Sequence, residues 1–415
     1  MSKQGSAQGW IVVAAGTAIN LALGALYAWS MFKEPLTKAP YGLSNAQTAI
    51  PYSVACMVFA LMMVPAGRLQ DRIGPRIVAL VGGVLVGIGF FVASLAGSMP
   101  QHALPLLIGG FGVLAGSGIG LGYAAASPPA IKWFPPQKKG LIVGIVVGGF
   151  GLASVYVAPL TEWLIKSYDV AFAFRALAFL FFATIVVFSL LLRNPPAGHV
   201  PAVKAGSPSA VVADLSPSEV LRTGSFYLVW LLFFVGGGAG LMVISFVKTY
   251  AKDAGIPIAG FVFVALLAVG NAGGRIISGV LSDKIGRTRT MLVVFGVQAV
   301  TLVLFSSVSG SIAFALGSMV IGFCYGSCLS VFPSITADYY GLRNLGMNYG
   351  IVFTSWGVGA LVMAPIAGAV KDATGSYSAA FYLAAGMLVL GALLTFVIKP
   401  PARAKERALE AKPAA

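Results

Sequence analysis

The sequence predicts an all-α integral membrane protein, with twelve transmembrane helices in two pseudo-symmetric six-helix bundles. Three observations predict it. Of 415 residues, 58% are hydrophobic and 9% are charged, whereas soluble domains carry roughly 25% charged residues, so the charges are too few to coat a surface in water. Apolar runs long enough to cross a hydrocarbon core of about 30 Å recur along the whole chain. A charged loop motif also stands at the same place in each half.

The first apolar run, Trp10 to Phe32, is longer than the roughly 7–15 residues of a signal-peptide core and lacks its basic flank and small-residue exit. It reads as a retained first helix. Runs at 46–66, 77–98, 103–130, 140–163 and 171–192 complete the first half. The stretch 193–224 is rich in Pro, Ser and Ala and is the one long connection. Within it Ser216-Pro-Ser-Glu219 has capping-box spacing, which predicts a short surface helix. The runs resume at 225–250, 257–281, 290–308, 311–335, 347–370 and 378–398. The expected organisation is an N-terminal bundle over 1–192, a cytoplasmic linker over 193–224, a C-terminal bundle over 225–400 and a cytoplasmic tail over 401–415.

The halves repeat. Gly67-x-x-x-Asp71-Arg72-x-Gly74-Pro-Arg76 follows the second run, and Gly279-x-x-x-Asp283-Lys284-x-Gly286-Arg287 follows the eighth, 212 residues on. Gly116, Gly120, Gly144, Gly151 and Pro159 recur 206 residues later as Gly322, Gly326, Gly350, Gly357 and Pro365. Parallel repeats about an axis along the membrane normal are a transporter architecture. Small residues four apart (Gly144/Gly148, Gly236/Gly240, Gly270/Gly274) predict close helix crossings.

Twenty-seven Lys and Arg against 12 Asp and Glu give a net charge of +15. On a soluble chain this would suggest nucleic acid; here the cations fall in connections, where they set topology, and no nucleic-acid partner is expected. With the N-terminus inside, inner segments hold 19 cations and outer loops hold seven: Lys33, Lys38, Lys166, Arg175, Lys248, Lys252 and Lys371. Both termini are therefore expected in the cytoplasm. Cys56, Cys324 and Cys328 lie in apolar runs with no His to complete a ligand set, so neither a metal nor a cofactor is expected. The glycine series from Gly116 to Gly122 follows no strand, which argues against a nucleotide loop. His102 and His199 fall in connections, and no nucleophile–base pair lies at membrane depth, so no enzymatic activity is expected.

The remaining cation is Arg275. It lies eight residues before Asp283, or about 12 Å of helix, near the middle of the bilayer. An arginine there costs at least about 2.5–3.5 kcal/mol and must face a cavity or a partner. None of the 12 carboxylates is placed mid-span. Asn271, one turn earlier, shares its face. A planar guanidinium with an amide beside it suits a small organic anion, and a single cation favours a monoanion. Tyr27, Tyr123 and Tyr325 lie at matching depth and offer apolar walls with one hydroxyl each. Cys56 is a further wall candidate.

The two Gly-x-x-x-Asp-Arg/Lys-x-Gly loops resemble the motif of the major facilitator superfamily, whose fold has two six-helix domains around a central site that alternately faces either side. Within it the chain is similar to the monocarboxylate transporters and the oxalate:formate antiporters. Gly9-Trp10 opens helix one, and Trp133-Phe134 precedes Gln137-Lys-Lys-Gly-Leu-Ile-Val-Gly144, as in the monocarboxylate group. Asn271-Ala-Gly-Gly-Arg275 through Arg287 resembles helix eight of both groups. The resemblance implies that Arg275 binds substrate, that Tyr27, Tyr123 and Tyr325 surround it, and that Asp71, Arg72, Asp283, Lys284 and Arg287 serve conformational gating.

Two departures matter. The antiporters carry a lysine in helix eleven where Trp356 falls here, which argues against a dianion. Animal monocarboxylate transporters carry an aspartate where Asn271 stands and a lysine in helix one where Met31 or a neighbour stands. The expectation is a monomeric inner-membrane carrier of lactate- or pyruvate-like monocarboxylates, with a proton as co-substrate. Exchange of the oxalate:formate kind is the alternative, because without an acid at Asn271 the unloaded site is left positive.

Overall fold

The computed structural model describes residues 3–134, 139–196, 214–257, 259–341 and 344–401. Among them every regular element is helical. Eleven helices are long and apolar enough to cross a membrane: Ala7–Thr37, Asn45–Gln70, Pro75–Gly97, Pro100–Lys132, Ile142–Ser167, Val170–Ser189, Gly224–Asp253, Gly260–Ile285, Arg287–Phe305, Ser311–Tyr340 and Leu345–Thr374. A shorter apolar helix, Ser378–Leu394, follows. In chain order these are spans one to twelve.

Local chemistry sets their ends. Ser44 and Gln47 form a capping box at the start of span two, and Asp169 accepts from the Phe172 N–H at 2.6 Å to start span six, satisfying N–H groups that have no partner within the helix. The two motif loops turn at Gly74 (φ 86°) and Gly286 (φ 94°), in the left-handed region that favours glycine. These loops define the motif end of the bundle; the opposite end is the far end. The predicted linker helix is present as Pro217–Val220, with the Ser216–Glu219 capping box. It is tied to spans ten and eleven, because the Leu215 N–H donates to the Tyr340 carbonyl at 3.0 Å and the Leu215 carbonyl accepts from Asn348 at 3.1 Å.

The sequence repeat is a repeated helix crossing. A Cβ on Gly116 would lie 3.0 Å from the Ala55 Cα, and one on Gly120 would lie 2.8 Å from the Phe59 carbonyl. In the second half, Gly322 and Gly326 press against the carbonyls of Leu267 and Asn271, which stand 212 residues after Ala55 and Phe59. Spans two and four thus cross as spans eight and ten do, at positions that tolerate no side chain.

The expected crossings divide. Gly270 and Gly274 lie against the backbone of Met319 and Phe323. Gly236 and Gly240 meet the rings of Phe295 and Tyr325 rather than a backbone. Gly144 and Gly148 meet nothing within 4 Å, so the crossing expected there is absent.

Charge placement also needs correction. Of the cations assigned to outer loops, Lys33, Lys166, Arg175, Lys248, Lys252 and Lys371 all stand inside the helices of spans one, five, six, seven and eleven, because helical hydrogen bonding carries the spans into the connections. Lys33 is fully buried, its Nζ 5.9 Å from the centre of the Phe246 ring.

Candidate functional site

Arg275 is 7% exposed and Asn271 is fully buried. The arginine Nε donates to Asn271 Oδ1 at 3.1 Å, and Nη1 donates to the Val147 carbonyl of span five at 3.2 Å. Asn271 thus presents an amide oxygen that orients the guanidinium without neutralising it. No carboxylate pairs with Arg275 among the described residues. Arg275 Nη2 and Asn271 Nδ2 are both buried without a hydrogen-bond partner. Each is a pure donor, and an unmet buried donor costs about 1–3 kcal/mol. The site therefore presents donors and a positive charge, the complement of a carboxylate.

Tyr27 reaches the site from a 3₁₀ turn, Gly24–Ala28, that interrupts span one. Gly24 makes the turn possible, because a Cβ there would collide with the Phe150 carbonyl. The Tyr27 hydroxyl meets that of Tyr325, from span ten, at 2.6 Å. Trp356 Nε1 of span eleven donates to the Tyr325 oxygen at 2.9 Å. The tyrosine pair uses one hydroxyl hydrogen between its two oxygens, so the other remains free to donate to a ligand. The hydroxyls of Tyr123, Tyr27, Tyr325 and Tyr349 all lie within electrostatic range of Arg275.

Aromatic rings close the apolar wall. Phe150 stands edge-on to Tyr27 and Tyr123, with ring centres 5.0 and 5.2 Å away. Phe59 packs edge-on to Tyr123 and to Trp356, each at 5.3 Å. The structure thus brings Arg275, Asn271, Tyr27, Tyr123 and Tyr325 together. Cys56 is buried beside Tyr52 in span two, where its carbonyl faces Gly357 of span eleven.

Phe59, Phe150, Tyr349 and the Val147 carbonyl escape the sequence reading. Phe59 stands 212 residues before Asn271, so the repeat offset was a signal for it. Trp356, met only as the replacement for a second cation, is the donor that anchors Tyr325. Nothing in the sequence marks Phe150 or a backbone carbonyl.

The motif-loop residues sit apart from the site. Arg287 pairs with Asp283 and, at 2.9 Å, with Asp338, fastening the second loop to the end of span ten. Arg72 and Lys284 are exposed, and the Asp71 side chain lies outside the described residues. Spans two and eleven bring the halves together from Val64 and Gly350, toward the motif end, to the far end, and the polar pairs between the halves lie at the centre and the far end. Ser53 donates to the Ala360 carbonyl at 2.8 Å. At the far end Lys252 pairs with Glu34, and Asp372 accepts from Asn45 Nδ2 at 2.8 Å and from the Ala46 N–H at 3.0 Å. Toward the motif end, Tyr123 and Tyr349 are partly exposed and Gly144 and Gly148 border open space. The site is shut off from the far end.

The chain is 28% identical over 396 residues to the oxalate:formate antiporter of Oxalobacter formigenes, covering 94% of this chain and 91% of that protein. It is 27% identical to monocarboxylate transporter 13 of Rattus norvegicus, covering 92% and 87%. Against the apicoplast pyruvate carrier 1 of Toxoplasma gondii it is 27% identical, covering 75% and 67%. The crystal structure of a bacterial homologue of the human lysosomal transporter Spinster, in an inward-facing and unoccupied conformation, superposes with a TM-score of 0.69 at 15% identity over all of both chains. That likeness concerns the fold. The family model "Major Facilitator Superfamily" matches residues 9–311 and 264–415, and with the twelve-helix fold this makes the chain a member of the major facilitator superfamily.

Proposed function

We propose that the chain is a secondary active carrier of small monocarboxylates of the lactate or pyruvate kind, working by alternating access. The observation that carries this is the buried Arg275, without a carboxylate partner among the described residues, with one unmet donor of its own and one on the adjoining Asn271. The substrate carboxylate takes Arg275 Nη2 and Asn271 Nδ2, while Tyr27, Tyr123 and Tyr325 enclose the short carbon chain. The apolar wall and single cation favour one carboxylate over two. The likeness to a monocarboxylate transporter and to a pyruvate carrier supports the same substrate class.

In this reading residues 1–192 and 225–400 are the two moving bundles, 193–224 is the cytoplasmic linker and 401–415 the cytoplasmic tail. The motif end faces the cytoplasm of an inner membrane, both termini lie there, and the carrier works as a monomer. Proton symport is the leading coupling mode. Asn271 favours a second reading, organic-anion exchange: Arg275 plus a monoanion is neutral, whereas Arg275 alone is a bare charge that must cross the occluded state.

The test is labelled lactate uptake into proteoliposomes, with and without an imposed proton gradient. Arg275→Ala is expected to lose at least about tenfold of uptake, or roughly 1.4 kcal/mol of binding, and uptake equal to the native chain would overturn the assignment. Uptake driven by the gradient alone supports symport. Uptake that needs a carboxylate on the opposite side, and is inhibited by oxalate, supports exchange.

A further inference from the structure

Arg175 is an arginine in an unexpected place. Span six begins at Val170, so Arg175 stands five residues, or about 8 Å, inside an apolar helix. It is exposed on the outside of the bundle. Among the described residues no hydrogen bond or ion pair of its guanidinium is found. A lipid-facing charge is costly unless it reaches the interface or meets an opposite charge.

Its surroundings are a groove between spans three and six. Ala178, Phe179 and Phe182 continue the Arg175 side of span six, facing Ile88 and Phe91 of span three. Phe179 is 74% exposed and Phe91 53% exposed. Gly87 and Ala178 are the small residues between these walls. At the far end Arg175 also borders a second recess, with Lys38, Tyr41 and Asp169. One guanidinium thus joins an apolar furrow to a polar mouth. The other charges there have partners: Lys38 pairs with Glu34 at 2.9 Å, and Asp169 accepts from the Phe172 N–H.

We propose that this furrow is a binding site for an anionic glycerophospholipid of the far-end leaflet, its phosphodiester on Arg175 and an acyl chain between Phe91 and Phe179. A guanidinium takes a phosphate through two parallel hydrogen bonds, and basic pockets between spans suit anionic head groups. The charge selects the lipid. A choline head group would bring its own cation against Arg175, the unpaired cation of the recess, whereas a glycerol head group leaves the phosphate charge unopposed. This site is independent of the central carboxylate site.

The experiment is native mass spectrometry of the full chain released from phosphatidylcholine vesicles containing a minority of phosphatidylglycerol. The native chain is expected to retain one phosphatidylglycerol in preference to phosphatidylcholine. Arg175→Gln is expected to cut that retention about tenfold, and Phe179→Ala, which leaves the charge in place, about threefold. Thermal stability in phosphatidylcholine alone serves as the folding check and is expected to be equal for the native chain and both variants. Retention of phosphatidylglycerol by Arg175→Gln at the native level, or equal retention of the two lipids by the native chain, overturns the proposal.

Discussion

At the residue scale, two buried cations have opposite surroundings. Arg275 is held by an amide oxygen and a backbone carbonyl, so its position is set while its charge stays available. Removing the amide should loosen it. Asn271→Ala is expected to raise the KM for lactate uptake about tenfold, or roughly 1.4 kcal/mol, with the amount of folded carrier unchanged; an unchanged KM would reduce the amide to packing. Among the described residues Lys33 has no hydrogen-bond partner for its Nζ; the Phe246 ring face stands beside it, and the Asp372 carboxylate lies within electrostatic range without pairing. Burying an ammonium this way is unfavourable, and methionine has a similar reach without the charge. Lys33→Met is therefore expected to raise the melting midpoint by about 3 °C, read by differential scanning fluorimetry; a lower midpoint would show that the ammonium stabilises this state. Arg275 was legible because depth is a count of residues. The burial of Lys33 was not, because its inward turn follows from the 3₁₀ interruption and from where Phe246 stands.

At the element scale, the glycines separate what holds the fold from what leaves room for movement. Gly274 and Gly326 let spans eight and ten approach until backbone meets backbone, which places Asn271 and Arg275. A methyl group at Gly274 would strike the Phe323 carbonyl, and a backbone cannot yield as a side chain does. Gly274→Ala is expected to lower the melting midpoint by at least about 5 °C and to reduce folded yield. Gly148→Ala, facing open space, should leave the midpoint within about 1 °C. Equal effects of the two would refute this division, and the check is the same melting measurement on both purified variants. The repeat made the crossings of spans four and ten readable from spacing alone. It could not tell that Gly144 and Gly148 stand apart, because small residues permit contact without requiring it and the partner's position is a property of the whole bundle.

At the scale of the whole molecule, the two halves are fastened at the end away from the motif loops. Twelve spans and their duplication were readable from hydropathy and the loop motifs, since both are properties of the chain itself. Which end is shut depends on pairings between residues hundreds of positions apart, such as Glu34 with Lys252 and Asn45 with Asp372. These pairs join the two halves at the far end, so weakening one should move the balance toward a far-end-open form. Partly exposed pairs are each worth up to about 1 kcal/mol, which sets a shift of about fivefold. A reporter is available in Ser154, which is 1% exposed, lies beside Tyr27 and has no hydrogen-bond partner. In a chain with Cys56, Cys324 and Cys328 replaced, Ser154→Cys can be labelled from the far side with a membrane-impermeant maleimide. Glu34→Gln is expected to speed labelling about fivefold and Lys252→Gln similarly. The double variant should gain little over either, because both changes break one interaction. Lys38→Gln is the control, since Lys38, just past the end of span one, pairs with Glu34 of the same half at 2.9 Å and ties no half to the other; its labelling rate should match the parent. Additive rates in the double variant, or acceleration by Lys38→Gln, would show that these charges act on the local helix end and not on the joint between the halves.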